Sequence, residues 1–361
     1  MQKLQYDGTI GALYGIFIKN LLLGIITLSI YRFWGKTNLR RYAWSHTTLQ
    51  GQRFEYTGRG GELFIGFLIV TALYVGVTIG FSILSLALGE EVTNYSGLTL
   101  ALVVIYLAYV AQYAAQNYRL TRTLWCGIRG GMSGSAWRYG FKAMLFMILN
   151  LVTLNFALPW TTLRLTEDRF NNSYFGNAKA SLQASAKPLY APYLLGYALM
   201  IVGVGAVAIC LWMIASAMGL VDFIQAHDAE AMPTAIAMIL EELIGLAALG
   251  YLGVIVVGVI AFAPFWAATF REIANNLRLA ELRFASEVTA GRYIGLWIGN
   301  ALWIVLTLGL GLPVAIQRSL KFFADRIEIQ GEVDAGRLQQ TTLDRPPIGE
   351  GLLEAFDPGF F

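Results

Sequence analysis

Residues 63–88 read LFIGFLIVTALYVGVTIGFSILSLAL and contain no charged side chain. Crossing the hydrocarbon core of a bilayer as a helix takes about 20 consecutive apolar residues, so this run is long enough to span it. Comparable runs occupy residues 98–118, 193–220 and 243–270. The sequence therefore predicts a polytopic α-helical membrane protein with two helical hairpins, residues 63–118 and 193–270.

The composition supports that prediction and excludes several protein classes. Hydrophobic residues make up 57% of the chain and charged residues 14%, whereas soluble domains have about 45–50% and 25%. The net charge of +3 gives no support for a nucleic-acid partner. Cys126 and Cys210 lack the clustering that a disulfide framework or a zinc site needs. We predict no metal and no cofactor.

Three shorter apolar runs are each just long enough to cross a bilayer once: residues 13–33, 140–160 and 295–316. In each, a Thr-Leu pair stands at the same distance from a later pair: Thr27-Leu28 before Phe33-Trp34, Thr153-Leu154 before Pro159-Trp160, and Thr307-Leu308 before Pro313-Val314. Such self-similarity indicates a repeated structural unit. We predict degenerate internal repeats of helix, basic arm and short strand.

Basic side chains concentrate in the arms that connect the apolar runs. The first arm carries Arg32, Lys36, Arg40, Arg41, Arg53 and Arg59, and the second carries Arg119, Arg122, Arg129 and Arg138. The loop between the first two long runs instead carries Glu90 and Glu91, with neither Lys nor Arg. Because an excess of Lys and Arg in short loops marks the cytoplasmic side, we predict cytoplasmic arms and outward-facing acidic loops.

Short alternating stretches predict strands within the arms. Phe54 and Tyr56 alternate with polar residues, and so do Ile327 and Ile329. This period of two is typical of half-buried strands. Open sheet edges cannot lie in hydrocarbon, so we predict a small cytoplasmic β-layer that includes Leu4–Tyr6.

The chain divides by composition into a membrane domain and a tail. Residues 1–330 are predicted to form one membrane domain. Residues 331–361 are acidic on balance and contain Pro346-Pro347, which predicts an extended tail. The N-terminal segment lacks the basic region and cleavage site of a signal peptide, so we expect the first membrane segment to be retained.

The side of the membrane on which each arm lies has two interpretations. If every short run crosses once, successive arms alternate sides, which suits the mixed charges of the later arms. If the repeats are equivalent, all arms share one side, and the short runs enter the membrane and return as re-entrant or strongly tilted helices. The repetition of strand, glycine and helix favours the second interpretation.

One block of sequence resembles a known family. Residues 27–67, TLSIYRFWGKTNLRRYAWSHTTLQGQRFEYTGRGGELFIGF, closely resemble the opening signature of the YjgN-like bacterial inner-membrane proteins. The resemblance covers most of the chain and includes the ending GEGLLEAFDPGF. It implies a multi-pass protein of the bacterial cytoplasmic membrane. It implies no activity and no catalytic residues, because the family's function is unknown.

Tryptophan and basic residues lie close together in the arms. Trp rings favour the headgroup level of a bilayer, and each basic residue near the surface gains about 1 kcal/mol from anionic lipid. The candidate residues for binding an anionic headgroup, or another anion, are Trp34, Lys36, Arg40, Arg41, Trp44, Arg119, Arg122 and Trp125. The competing interpretation is generic anchoring at the interface, which we favour.

Polar residues within the short runs form a second candidate set, because an ionisable group inside a membrane segment is a functional hypothesis by default. The set consists of Lys19, Asn20, Thr27, Asn300 and Thr307. These residues either line a cavity or solute path, or act as a snorkelling lysine and as helix–helix hydrogen bonds. Glycines at four-residue spacing, such as Gly11 and Gly15, predict close helix packing within the chain or between copies.

These features leave three function classes open. We place a non-enzymatic protein that binds anionic lipid or organises the membrane slightly ahead of a transporter or channel with a polar path near Lys19, Asn20 and Asn300. A lipid-modifying enzyme comes well behind, because the clustered acids or histidines that it needs near the interface are missing from the sequence. The predicted partners are membrane lipids, with a homo-oligomer through the small-residue helix faces as a further possibility.

Overall fold

The computed structural model describes residues 2–88, 90–226, 239–333 and 338–340. Its helices are α1 Ile10–Ile26, α2 Arg32–Ser45, α3 Gly60–Leu88, α4 Glu90–Arg122, α5 Ala136–Val152, α6 Leu158–Asn171, α7 Lys187–Ala217, α8 Leu220–Gln225, α9 Leu240–Asn276, α10 Ala290–Leu306 and α11 Leu312–Arg326. Its strands are β1 Gln2–Lys3, β2 Gln5–Tyr6, β3 Thr47–Leu49, β4 Gln52–Tyr56, β5 Thr123–Trp125, β6 Ile128–Met132, β7 Ser173–Phe175, β8 Ala178–Leu182, β9 Leu277–Leu279, β10 Leu282–Ala285 and β11 Glu328–Gln330.

Four of the described helices are long and apolar enough to cross a membrane. The spans are Gly60–Leu84, Gly97–Arg122, Lys187–Ala217 and Leu240–Asn276. At most 22% of the residues in the apolar window of any of them are buried within the protein. Helices that are apolar and exposed on most sides need lipid around them. The four long membrane runs predicted from the sequence are therefore confirmed.

The strands form one antiparallel sheet in the order β1-β11-β10-β9-β8-β7-β6-β5-β4-β3-β2. The two strands at the ends of this order are consecutive in the chain, because only Leu4 separates them. The N-terminal segment thus pairs on both sides: Gln2 lies opposite Ile329, and Tyr6 lies opposite Thr47. The sheet closes on itself, so that its described strands leave no free edge for pairing with another chain.

The interior of the closed sheet is an apolar core. Its buried residues are Leu49, Trp125, Leu282 and Ile329, and Phe54, Phe175 and Phe284 pack around them. The predicted alternation in β4 is confirmed, because Arg53 and Glu55 are exposed. Gln50-Gly51 and Cys126-Gly127 form two-residue loops in which both residues have positive φ, as in the type I′ turns that match strand twist.

Five helical segments connect the strands, and each one leaves the sheet and returns to it. In chain order they are α1–α2 between β2 and β3, α3–α4 between β4 and β5, α5–α6 between β6 and β7, α7–α9 between β8 and β9, and α10–α11 between β10 and β11. The predicted β-layer is confirmed. The chain is mostly helical, as predicted, and the layer is larger than the small one expected, because an eleven-stranded sheet joins all five segments.

Each short apolar run is broken by a turn between two helices. α1 has 17 residues and is roughly 26 Å long at 1.5 Å per residue, less than a hydrocarbon core of about 30 Å. α2 then returns beside it, and the side-chain amide of Asn20 donates to the carbonyl of Gly35 at 3.2 Å. The predicted segments 13–33, 140–160 and 295–316 each contain the end of one helix, a turn and the start of the next. Whether these runs cross the membrane or re-enter it stays a prediction.

The turns between the paired helices share one conformation. Positive φ angles occur at Leu28-Ser29, Leu154-Asn155 and Leu308-Gly309, as in left-handed helix C-caps. The Thr27 hydroxyl donates to the carbonyl of Leu23 at 2.7 Å and accepts from the backbone N–H of Tyr31 at 2.9 Å. The leucines at the three tips are 88%, 73% and 94% exposed. Each helix pair therefore ends in an apolar point suited to hydrocarbon.

Contacts divide the chain into two compact units. The first comprises Met1–Ser185, Arg271–Glu287 and Ile298–Phe361 and contains the sheet. The second comprises Ala186–Phe270 and Val288–Trp297. Within the second unit, α7 packs on α9: the ring of Tyr193 lies 4.9 Å from that of Phe265.

The described part of the C-terminal tail lies over the loops of the sheet. The Gln50 side chain donates to the carbonyl of Gly331 at 3.2 Å, and the Gln340 side chain accepts from the backbone N–H of Arg129 at 3.0 Å. Val333 and Leu338 pack against the apolar core of the sheet. Residues 334–337 and 341–361, which make up most of the predicted tail, lie outside the described residues.

Candidate functional site

α2 carries much of the first basic arm and holds it in two environments. Lys36 and Arg40 are 7% and 2% exposed, and Arg40 Nη1 donates to the Tyr56 hydroxyl at 3.5 Å. Trp34 and Arg41 lie on a different face of α2 from Lys36 and Arg40, and both are exposed. The predicted headgroup residues of α2 thus separate into an inner pair and an outer pair.

Arg41 borders two open cavities in the first unit. The Lys19 cavity has a volume of about 340 Å³, and its polar lining consists of Lys19, Asn20, Asn38, Arg41, Tyr42 and Ser45. The Arg59 cavity has a volume of about 400 Å³, and it is lined by Trp34, Thr37, Asn38, Arg41, Arg59, Gly60, Gly61 and Glu62. Arg41 Nη2 donates to the carbonyl of Gly58 at 3.2 Å. This bond holds the guanidinium at the boundary of the two cavities.

The Arg59 cavity also contains the start of α3. A Cβ atom at Gly60 would lie 2.7 Å from Cα of Trp34, so only glycine lets α3 begin this close to α2. The first N–H groups of a helix have no partner within the helix and carry positive partial charge. Together with Arg41 and Arg59, this helix start gives the cavity an electrostatic preference for anions.

The one carboxylate among the described residues that line the Arg59 cavity is already paired. Glu62 Oε2 accepts from Arg122 Nε at 3.1 Å and from the hydroxyl of Tyr118. The guanidinium carbon of Arg122 also lies 4.8 Å from the centre of the Tyr118 ring. Arg122, a predicted headgroup residue, is 8% exposed and joins α4 to α3.

A third cavity, the apolar cavity, lies beside α1, α2 and the start of α11 and has a volume of about 290 Å³. Its apolar walls include Leu13, Ile16, Phe17, Leu21, Leu39 and Ile316. Asn20, Arg32 and Lys36 supply its polar groups, and no described residue that lines it carries a carboxylate. Ile16 and Asn20 line both this cavity and the Lys19 cavity.

The remaining predicted headgroup residues lie elsewhere. Trp44 Nε1 donates to the Thr123 hydroxyl at 3.0 Å and so links α2 to β5. Arg119 lies in the last turn of α4. Trp125 is 4% exposed, and its Nε1 donates to the carbonyl of Leu49 at 3.2 Å inside the closed sheet. The prediction that Trp125 meets headgroups was wrong, because its side chain lies on the inward face of its strand.

The predicted intramembrane polar residues form bonds within the helix pairs. Thr307 repeats the role of Thr27, since its hydroxyl bonds to the carbonyl of Trp303 and the N–H of Gly311. Asn300 Nδ2 donates to the Ser319 hydroxyl at 2.9 Å, and Lys19 is exposed. Within the described part of the chain, the buried Oδ1 atoms of Asn20 and Asn300 have no hydrogen-bond partner.

Sequence analysis missed several residues that line the cavities. Arg32, Asn38 and Arg59 were not chosen as site residues, and Gly60-Gly61 was not chosen as a helix start. The available signal was the sequence Arg59-Gly60-Gly61 directly before a long apolar helix. Helix N-termini favour anions, so this pattern could have indicated an anion site. Asn38 offered no signal, since its position depends on how α2 packs against α1.

The glycines with four-residue spacing face open space within this chain. A Cβ atom at Gly11, Gly15, Gly76 or Gly80 would meet no described atom within 4 Å. Gly299 differs, because a Cβ there would meet the guanidinium of Arg318. Packing between copies of the chain through the glycine faces stays a prediction.

Comparison with known proteins identifies the family. Residues 1–355 match the family described as "Bacterial protein of unknown function (DUF898)". The chain belongs to this family. It is 26% identical to "Inner membrane protein YjgN" of Salmonella typhimurium over 98% of this chain and 96% of that relative. The proteins of the same name from Escherichia coli O157:H7 and K12 are each 29% identical over 42% of this chain and 37% of the relative.

The resemblance to YjgN-like proteins is therefore confirmed, and no solved structure matches the chain. With relatives named as inner membrane proteins and four helices able to span a bilayer, this DUF898 member is an integral protein of the bacterial inner membrane. Among its described residues, no group of three or more His, Cys, Asp or Glu side chains could hold a metal ion.

Proposed function

We propose that this protein binds the headgroups of anionic phospholipids, without catalysis, through its first basic arm on the cytoplasmic side of the inner membrane. One observation carries the proposal: Arg41 borders two cavities at once, with Lys19 in one and Arg59 in the other. Three cations thus converge on the base of the α1–α2 pair, next to apolar helices that need lipid around them.

The chemistry of these cavities suits a phosphodiester. Arginine offers a planar fork of donors that matches phosphate oxygens, and charge-assisted hydrogen bonds of this kind are about twice as strong as neutral ones. The exposed ring of Trp34 suits the headgroup level of a bilayer. The cytoplasmic side follows from the excess of Lys and Arg in the arms. The apolar tips of the three helix pairs, at Leu28, Leu154 and Leu308, would hold the sheet against the membrane.

Lipid binding in nanodiscs tests the proposal. Full-length protein is reconstituted with mixtures of phosphatidylglycerol and phosphatidylcholine, and the lipids that remain bound after gentle release are counted by native mass spectrometry. The variant with Arg41→Glu and Arg59→Glu should lose most of the preference for phosphatidylglycerol. Lys179→Glu is the matched control, because Lys179 is an exposed cation on β8 that lines none of the three cavities. An unchanged preference in the double variant would contradict the proposal.

The alternative of a transporter has one specific observation in its favour. The Oδ1 atoms of Asn20 and Asn300 are buried without a hydrogen-bond partner in the described part of the chain, and a passing solute with a hydrogen-bond donor would satisfy them. Proteoliposomes that release small polar solutes with wild-type protein, and not with Asn20→Leu, would support transport. Equal release in protein-free liposomes would count against it.

A further inference from the structure

Asn38 and Arg41 form a ridge between the Lys19 cavity and the Arg59 cavity. Both side chains line both cavities. They lie three residues apart on α2, so they are neighbours on one helical face. The two cavities therefore adjoin along this ridge. A ligand with two binding groups on a short linker can reach both cavities at once.

Each cavity adds a cation of its own, supplied by a different part of the chain. Lys19 lies on α1, and Arg59 lies in the segment between β4 and α3. Both side chains are exposed. No described residue that lines the Lys19 cavity carries a carboxylate, and Glu62 at the Arg59 cavity is paired with Arg122. The cavities are thus two positive subsites that share the guanidinium of Arg41.

The polar groups of the ridge suit a ligand that lies across it. The guanidinium of Arg41 carries five N–H donors in a planar fork. One bond, from Nη2 to the carbonyl of Gly58 at 3.2 Å, holds this group at the ridge. The Asn38 amide donates through Nδ2 to the Tyr31 hydroxyl at 3.4 Å, so Oδ1 is the atom with which it accepts. A ligand with a hydroxyl group between two anionic groups would match this order of donors and acceptor.

The helix beside each cavity has an exposed apolar surface. On α1, which carries Lys19, Ile18 and Leu22 are 50% and 56% exposed. On α3, which begins at the Arg59 cavity, Ile65 and Leu68 are 51% and 47% exposed. Exposed apolar patches of this kind mark contact with a membrane. Acyl chains attached to a phosphate in either cavity would therefore have an apolar helix beside them.

We infer that the two cavities together bind one anionic phospholipid with two phosphates, of the cardiolipin type, in which a glycerol joins two phosphatidyl groups. One phosphate lies between Lys19 and Arg41, the other lies between Arg59 and Arg41, and the hydroxyl of the joining glycerol donates to Asn38. Joining the two phosphates in one molecule makes the second contact intramolecular, which raises the affinity without any new contact. This inference rests on the proposed function and names the lipid class that the site prefers.

Counts of bound lipid in nanodiscs test the inference. Full-length protein is reconstituted in phosphatidylcholine with cardiolipin, phosphatidylglycerol or phosphatidic acid at equal phosphate content, and the bound lipids are counted by native mass spectrometry. We expect one cardiolipin or two phosphatidylglycerols per chain. Cardiolipin should be retained about tenfold more strongly than phosphatidylglycerol, because its two phosphates are linked. Phosphatidic acid, which carries its charge on one phosphate, should not reach the retention of cardiolipin.

Variants of one cation at a time distinguish a bridging lipid from two independent lipids. Lys19→Gln and Arg59→Gln should each remove the preference for cardiolipin over phosphatidylglycerol and leave one bound phosphatidylglycerol. Combining them should change that preference no further, because one missing cation already breaks the bridge. Arg138→Gln is the matched control, since Arg138 is an exposed cation at the start of α5 that lines neither cavity. If a variant does not fold, the lipid counts of the wild-type protein still decide the question.

Three outcomes would overturn the inference. Equal retention of cardiolipin and phosphatidylglycerol, or two cardiolipins per chain, would show that the cavities bind lipids separately. Retention of phosphatidic acid as strong as that of cardiolipin would show that charge alone decides. Displacement of cardiolipin by an equal concentration of its water-soluble deacylated headgroup would assign the site to a soluble compound with two phosphates. In the first two cases, the loss of selectivity on charge reversal at Arg41 and Arg59 still tests the proposed function separately.

Discussion

Nε of Arg122 lies 3.1 Å from Oε2 of Glu62, and this ion pair joins the end of α4 to the start of α3. The two side chains are 10% and 28% exposed, so the pair is screened less than one on the surface. Glu62 also lines the Arg59 cavity. The pair therefore both stabilises the first helical hairpin and neutralises the carboxylate where an anion would bind.

Arg122→Gln leaves the Glu62 carboxylate without its cation. We expect a loss of about 1–3 kcal/mol of stability and weaker binding of phosphatidylglycerol, because the uncompensated charge repels phosphate. Thermal unfolding in detergent, followed by tryptophan fluorescence, measures the first effect. The double variant with Glu62→Gln should lose less than the sum of the single variants, as expected for groups in contact. Strict additivity would show that the pair contributes nothing.

Adjacent glycines at the start of α3 allow a matched comparison. A Cβ atom at Gly60 would lie 2.7 Å from Cα of Trp34, whereas one at Gly61 would meet nothing within 4 Å. Gly60→Ala should lower the melting temperature and weaken lipid binding, because it pushes α3 away from α2. Gly61→Ala should be neutral or stabilising by up to about 1 kcal/mol, since alanine favours the helix. Equal effects of the two substitutions would contradict the close approach of α3 to α2.

The threonine in the first tip turn should contribute measurably to stability. Thr27→Val removes both hydrogen bonds of the hydroxyl and should cost about 1 kcal/mol, whereas Thr27→Ser keeps them. Thr78→Val is the control, because the Thr78 hydroxyl donates to the carbonyl of Tyr74 within α3 rather than bridging a turn. Melting temperatures of the three variants give the answer. If Thr78→Val lowered the melting temperature as much as Thr27→Val, the hydrogen bonds of the turn would contribute no more stability than one within a helix.

The long membrane helices could be predicted from the sequence because each carries enough apolar residues to identify a span by itself. The strands could be predicted only in part, because those in the structure have two to five residues. Alternation is visible in β4, around Phe54 and Tyr56, whereas Ile128–Met132 contains two glycines that hide it. The closure of the sheet could not be predicted, since it depends on Gln2–Lys3 pairing with Glu328–Gln330 from the other end of the chain.

The sequence predicted which residue types form the candidate site, whereas the structure shows which way each side chain points. Arg41 and Trp34 lie at open cavities, and their contact with headgroups stays a prediction. Trp125 lies within a few residues of an arginine, like the other arm tryptophans, but its place on the inward face of β5 puts it in the core. Arg40 and Lys36 are buried because α2 packs that face against the rest of the first unit. Spacing along a chain does not show which face of an element is covered.

Removal of the tail should change the reactivity of Cys126. Burial raises the pKa of its thiol above the usual value, and Cys126, Val333 and Leu338 pack against the same core. Truncation after Gln330 should therefore lower the pKa of the thiol towards its usual value and raise the thiolate fraction at a given pH. Alkylation should then be faster, most clearly near pH 8, in a background with Cys210→Ser.

The pH dependence distinguishes exposure from ionisation. In the full-length protein, the alkylation rate of Cys126 should rise with pH and reach half of its maximum at a higher pH than in the truncated protein. A uniform increase in rate at every pH would mean that the tail only blocks access to the thiol. Identical profiles for the two proteins would contradict the contact between the tail and the sheet.

The closed sheet predicts a membrane topology that differs from the one predicted by hydropathy alone. Single cysteines at Gln52, Asn177 and Glu281, in a background without native cysteines, lie in three different hairpins of the sheet. One sheet requires that a membrane-impermeant maleimide reach all three from the same side, and the basic arms predict the cytoplasmic side. Inverted vesicles should therefore label all three positions, and intact spheroplasts none of them. If every short run crossed once, Asn177 and Glu281 would label from outside while Gln52 stayed protected, which the pairing of these hairpins in one sheet forbids.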